Sequence, residues 1–301
     1  MLRNLISIMI IAGVLSASHS FGDEAIKTRY VSSFQADEKG NMFKTPKGVT
    51  CKNDSLLVIA DTGNGRLLKY TNQNGLFVIG GEYRITGLSS PSKVQISSTG
   101  ELFVLDEGEP RIARLTAAGE FVAYIKPTGQ PDPGSFIPRS FALDARDNVY
   151  ILDILAERVL VLDPAGKLLR EVKFPKNYGF FSDLAVDQGG TVFLIDTVQC
   201  MVYSAGAQAP AFTALTGKLK EFLLFPTSIT LDSAGLLYIT DQNGGAILVT
   251  NPAGNVLGRQ LGTGWKEGFL RYPSQVCITA AGDLFVADRE NNRIQQFSIV
   301  K

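Results

Sequence analysis

The chain has 301 residues, 45% of them hydrophobic, with 29 basic and 29 acidic side chains, three cysteines and one histidine. Equal and opposite charge leaves no global field to hold a polyanion, which argues against nucleic acid as a partner. The lone histidine, His19, sits in the first twenty residues, so the folded body has none for Ser-His-Asp or Cys-His catalysis, or to ligate zinc, copper or haem.

In chain order, residues 1–22 read as a secretory signal. Arg3 supplies a short positive region, Leu5 to Ala17 an apolar stretch, and Ser18 to Gly22 small residues suited to cleavage. The stretch is shorter than the ~20 residues that span a bilayer. The expectation is an exported protein, periplasmic or extracellular, with no membrane span after cleavage. Next, Arg29 to Phe34 has the composition of a strand but no local hairpin partner.

From there an apolar run closed by aspartate recurs six times, at Asp61, Asp106, Asp153, Asp196, Asp241 and Asp288, with spacings of 45, 47, 43, 45 and 47 residues. Pro46, Pro91, Pro138, Pro226 and Pro273 each stand 15 residues before their aspartate, and Phe181 takes that slot in the fourth repeat. Proline ends a loop and starts a strand without needing to donate to a ladder. A first strand of alternating pattern follows, then a small-residue turn, the apolar run, and two further strands. This period predicts propeller blades. Residues 23–301 are expected to form a single all-β, six-bladed propeller, with four-stranded antiparallel blades near 45–80, 90–126, 137–175, 180–216, 225–262 and 272–301. The sixth repeat lacks a fourth strand, and residues 28–35 are its predicted donor, closing the ring and covering an open edge.

Laid on this ruler, the repeats resemble the NHL family of six-bladed β-propellers. The likeness rests on Asp61-Thr62-Gly63-Asn64-Gly65-Arg66 and Asp288-Arg289-Glu290-Asn291-Asn292-Arg293, and on the glycine-punctuated linker Gly262 to Phe269. Arg111 and Arg158 keep the arginine in repeats two and three; Met201 and Ala246 replace it in four and five. An active site is needed once, whereas a network that holds a blade is needed in each. Asp61, Asn64, Arg66, Asp106, Arg111, Asp153, Arg158, Asp196, Asp241, Asp288, Asn291 and Arg293 are therefore assigned to the scaffold.

Function is sought where the repeats disagree. By resemblance to propellers generally, the loops entering strand one and those leaving strand two share one face, and ligands sit there. Lys47, Lys93, Arg139, Asp183, Thr227 and Ser274 follow the proline slot and are expected to ring the channel, with three bases in consecutive blades forming a positive sector. Ile154, Leu155, Tyr178 and Phe180 form a second, apolar sector between repeats three and four, with Tyr178 taking the linker's packing position. Cys51 and Cys277 fall on first strands that ring closure makes neighbours; they form either buried thiols or a disulfide staple.

No cofactor is expected. The acidic loop Asp106-Glu107-Gly108-Glu109 offers calcium its one alternative seat, although calcium wants six to eight oxygens. The resulting expectation is a non-catalytic scaffold recognising a protein or extended ligand in the cell envelope. A calcium-dependent lactonase or esterase of propeller type, and a structural subunit of an envelope or extracellular assembly, are the alternatives.

Overall fold

Each apolar run becomes the second strand of a four-stranded antiparallel sheet; every residue of that strand is buried in four of the six repeats, and in the other two only the first residue is partly exposed. A strand covered on both faces has no polar side to present, which is why these segments read as continuous hydrophobic runs. In this computed structural model, residues 26–83, 85, 87–129 and 136–300 are described. The predicted signal, residues 1–22, and His19 lie outside them.

The strands are β1 (Lys27–Phe34), β2 (Gly48–Lys52), β3 (Leu56–Asp61), β4 (Arg66–Gln73), β5 (Leu76–Tyr83), β6 (Pro91–Ile96), β7 (Leu102–Asp106), β8 (Arg111–Leu115), β9 (Phe121–Tyr124), β10 (Pro138–Leu143), β11 (Val149–Asp153) and β12 (Arg158–Leu162). They continue as β13 (Leu168–Lys173), β14 (Phe181–Val186), β15 (Val192–Asp196), β16 (Met201–Ala205), β17 (Thr213–Ala214), β18 (Pro226–Leu231), β19 (Leu237–Asp241), β20 (Ala246–Thr250), β21 (Val256–Gln260), β22 (Pro273–Ile278), β23 (Asp283–Asp288) and β24 (Arg293–Val300). Five sheets take four strands in sequence order, and the sixth is ordered β1-β24-β23-β22. The six-bladed propeller and its closure by the N-terminal strand are thus the fold observed. Among the described residues no helix is long and apolar enough to cross a membrane.

The core is divided. Six apolar clusters lie one in each seam between neighbouring blades, including the seam where blade six meets blade one. Each first strand packs against the next around the ring, and β22 packs against β2. The fourth strands, on the rim, are less regular. In blade four the expected strand over Phe212 to Leu215 shrinks to the two residues of β17, whereas in blade one the fourth strand extends to Tyr83.

Closure is built from more than ladder bonds. β1 pairs with β24 from Lys27 opposite Val300 to Phe34 opposite Ile294. Ile26 is buried in the seam of blades five and six, and the Phe34 ring meets Tyr70 of blade one edge-on at 5.1 Å. Just beyond, Asp37 reaches Arg66 of blade one at 2.6 Å. The Asn41 amide, then Arg66 and backbone N–H groups, hold the Asp37 carboxyl well below its ordinary value of 3.8.

Burying Ile26 contributes about 1.5–3 kcal/mol, and the half-buried Tyr30 and Phe34 rings add about 1–2 kcal/mol each. Deleting residues 26–35 is therefore expected to lower stability by on the order of 5 kcal/mol and the melting temperature by about 10 °C or more. An unchanged melting curve refutes the closing role. The depressed Asp37 carboxyl stabilises the fold above its unfolded pKa and loses that effect as pH falls below it. Asp37→Asn should lower stability at neutral pH, where the contribution is fully present, and flatten the decline below pH about 4, so that variant and parent converge in acid; urea unfolding across pH checks this.

Candidate functional site at the channel mouth

The proline slot is followed by an irregularity in the ladder. Register shifts between Pro91 and Lys93, Pro138 and Ser140, Phe181 and Asp183, and Pro226 and Ser228, with a longer break after Pro273. A bulge re-aims the side chains that strict alternation would send to opposite faces. Both residues after the slot therefore line one cavity of about 220 Å³ at the channel mouth: Ser92 and Lys93, Arg139 and Ser140, Ser182 and Asp183, Thr227 and Ser228, Ser274 and Gln275. Blade one contributes only Lys47 at these positions. Gly48 has no side chain, and a Cβ there would stand 2.8 Å from the Ser92 carbonyl.

The positive sector is not free. Lys93, 8% exposed, reaches across from blade two to Asp183 of blade four, 4% exposed, at 2.5 Å. Ser140 donates to the same carboxylate and accepts from Lys93 at 2.9 Å. Asp183 also accepts from the Ser228 hydroxyl at 2.8 Å and from the Ile229 and Leu184 amides at 3.0 and 2.9 Å. Four blades are tied through one carboxylate. Nearer solvent, Lys47 pairs with Glu107 at 2.5 Å. The expected trio of available bases thus reduces to Arg139, an exposed side chain whose guanidinium lies 5.7 Å from the Phe180 ring.

That contact joins the two sectors singled out in the sequence. Phe180 and Leu155 are exposed, whereas Ile154 and Tyr178 pack into the seam of blades three and four, Tyr178 stacked on Phe181 at 4.9 Å. The sequence reading missed that Phe180 belongs to a series. The residues just before the slot are Ile137, Phe180, Phe225 and Tyr272 in blades three to six, each 37–43% exposed. Arg289 lies 5.6 Å from the Tyr272 ring and lines the same cavity as Arg139. Arg289 sits inside the repeat motif, and its counterparts Thr62, Glu107, Ile154, Thr197 and Gln242 are the signal in the sequence that the position varies.

The repeated aspartates hold the loops that carry this rim. All six are fully buried. Asp196 accepts from the amides of Gly179, Phe180, Val198 and Gln199, and Asp241 from those of Leu224 and Phe225. Gly179 permits this because a Cβ there would come within 2.5 Å of Val198 and 2.8 Å of the Asp196 carboxylate. Asp153 takes the Ile137 and Leu155 amides and Arg158 at 3.1 Å. In blades one and six the full set assembles: Asp61 with Asn64, Arg66 and the Lys44 amide, and Asp288 with Asn291, Arg293 and the Arg271 amide. Arg111 departs from the expected network. It turns to the Gly87 carbonyl, Glu109 and the Tyr124 ring, leaving Asp106 to the amides of Ser89, Ser90 and Gly108.

Two chemistries considered from sequence can be tested on these side chains. Cys51 and Cys277 adjoin in the seam of blades six and one as free thiols, and burial pushes the Cys277 thiol well above its ordinary range. The carboxylates of the acidic loop are already engaged: Asp106 by amides, Glu107 by Lys47 and Glu109 by Arg111. Asp183 is saturated, and among the described residues no three His, Cys, Asp or Glu side chains converge to hold a metal ion.

Breaking one half of a buried ion pair costs about 3–5 kcal/mol because the other charge is left uncompensated. Lys93→Met should lower unfolding stability by that order, and adding Asp183→Asn should recover much of it. Urea unfolding of both variants checks this, and a Lys93→Met protein as stable as the parent refutes the tie.

No curated protein matches the chain in sequence. Among solved structures, virginiamycin B lyase from Staphylococcus aureus has a TM-score of 0.62 at 14% identity, covering 91% of this chain and 100% of that one. A gluconolactonase from Xanthomonas campestris has 0.65 at 15%, covering 88% and 87%, and a chain of a nidogen/laminin complex has 0.57 at 16%, covering 78% and 92%. At these identities the likeness is one of fold. The family model of the NHL repeat matches residues 270–297, the blade in which Asp288, Asn291 and Arg293 all meet. The chain is a six-bladed β-propeller whose sixth blade matches the NHL repeat.

Proposed function

We propose that this protein is an exported, non-catalytic binding scaffold, periplasmic or extracellular, that holds a protein or other extended ligand of the cell envelope across its loop face. The observation that carries the reading is the half-exposed apolar rim of Ile137, Phe180, Phe225 and Tyr272 around the channel mouth. Apolar side chains rimming a polar depression are characteristic of a recognition surface. Leu155, Val198 and Leu224, all exposed, widen the rim.

The enzymatic alternative has less to work with. A form of virginiamycin B lyase in which alanine replaces one histidine is described as catalytically inactive, and here the one histidine, His19, precedes the propeller. The two acids of the channel mouth are each committed to a lysine, so a calcium-dependent hydrolase would have to break a buried ion pair to gain a ligand.

A photo-crosslinking residue placed at Phe180 or Leu155 should give discrete adducts in the native envelope, while one at Leu169, exposed on the outer strand of blade three, should not. Adducts at Leu169 alone would favour assembly through blade edges. Saturable calcium binding coupled to lactone hydrolysis, both lost in Asp183→Asn, would overturn the scaffold reading in favour of an enzyme.

A further inference from the structure

The channel mouth has two unlike halves. In blades one and two, Lys47 and Glu107 close on each other and the residues before the slot are polar, Thr45 and Ser90. In blades three to six, the cavity wall runs Arg139, Ser182, Thr227, Arg289, with the apolar rim above it. The two arginines line the cavity from blades three positions apart in a ring of six.

Several donors of this second half lack acceptors. Among the described residues, Arg139 makes no hydrogen bond or ion pair; its one neighbour of note is the Phe180 ring. The buried hydroxyls of Ser182 and Thr227 have no hydrogen-bond partner, although the equivalent Ser92 and Ser274 hydroxyls donate to backbone carbonyls. Arg289 lies 3.2 Å from Glu290, yet its buried Nε finds no hydrogen bond of good geometry. Three orphaned polar atoms on one cavity wall are unusual, because buried polar groups are normally satisfied. Of the cavity's four bases and two acids, the acids are consumed by the lysines; Arg289 has Glu290 beside its Nε and keeps its terminal nitrogens toward the cavity, and Arg139 is the guanidinium with no carboxylate.

A carboxylate supplies what this wall lacks: two oxygens that only accept, matched to guanidinium and hydroxyl donors. The cavity of about 220 Å³ has room for such a group and a few waters at roughly 30 Å³ each. The rest of the ligand then lies on the rim. There Ile137, Leu155 and Val198 alternate with rings, a mixture suited to peptide side chains more than to the flat faces of sugars.

We infer that the half of the channel mouth formed by blades three to six binds a peptide through one carboxylate, held between Arg139 and Arg289 with the Ser182 and Thr227 hydroxyls, while apolar side chains rest on Phe180, Phe225 and Tyr272. This assignment rests on the scaffold reading and names the chemistry of its ligand.

The test uses the full propeller with 15N-labelled arginine side chains, titrated with three probes: N-acetyl-Ala-Phe with a free C-terminus, N-acetyl-Asp-Phe-amide, and the neutral N-acetyl-Asn-Phe-amide. One or both carboxylate probes should shift the Arg139 and Arg289 Nε signals saturably at about millimolar dissociation constants, and the neutral probe should bind at least ~10-fold more weakly. Which carboxylate probe binds tells a chain terminus from an acidic side chain. Arg139→Met and Arg289→Met should each weaken binding about tenfold, a step of 1.4 kcal/mol, at unchanged melting temperature. Equal shifts with the neutral probe, or none with either acid, overturn the inference. A glucuronate oligosaccharide binding more tightly than the peptides overturns its peptide half. If crosslinks at Phe180 persist while the carboxylate shifts fail, the scaffold stands and this ligand chemistry falls; if the crosslinks also vanish, both fall.

Discussion

A carboxylate sealed from water must be answered by hydrogen bonds, and in this protein that requirement recurs in every blade. The aspartate closing each second strand is fully buried, and it draws in the amides of the loop entering the first strand of the same blade. Without those amides the charge would be uncompensated, and without the charge the loop would have no fixed path. Arginine and asparagine complete the set in blades one and six; in blade four, four amides suffice alone. The amides so held include those of Ile137, Phe180 and Phe225 themselves, so scaffold and rim are two ends of one hydrogen bond.

The second constraint is the bulge after the proline slot. It places two side chains per blade at the mouth instead of one, which allows an inner layer and an outer layer with different tasks. The inner layer, Lys93, Ser140, Asp183 and Ser228, spends its polarity on itself and spans four blades. The outer layer, Arg139, Ser182 and Thr227, is left facing the cavity with its hydrogen-bonding capacity in hand.

The architecture was legible because period, proline slot and turns each recur six times, and because an orphan strand at one end matched a missing strand at the other. The site was legible only by position. Lys93 and Asp183 lie 90 residues apart, and nothing in the chain says that a lysine will cross two blades to meet an acid. Strand parity, sound for β11 or β15, fails where a bulge intervenes, so Ser140, Ser182 and Ser228 went unnoticed beside their charged neighbours. Phe180 was found as a local excess, although its real significance is that Ile137, Phe225 and Tyr272 occupy the same place. Arg289 was hidden by the regularity of the motif around it.

The pairing of β1 with β24 also sets an order of events. These strands come from opposite ends of the propeller, and contacts so distant along the chain form late, after the local hairpins that each blade builds from neighbouring residues. Five blades are local in this sense and the sixth is not. During synthesis the ring therefore stays open until its last strand, β24, arrives, and quality control that acts on exposed strand edges has a single seam to inspect.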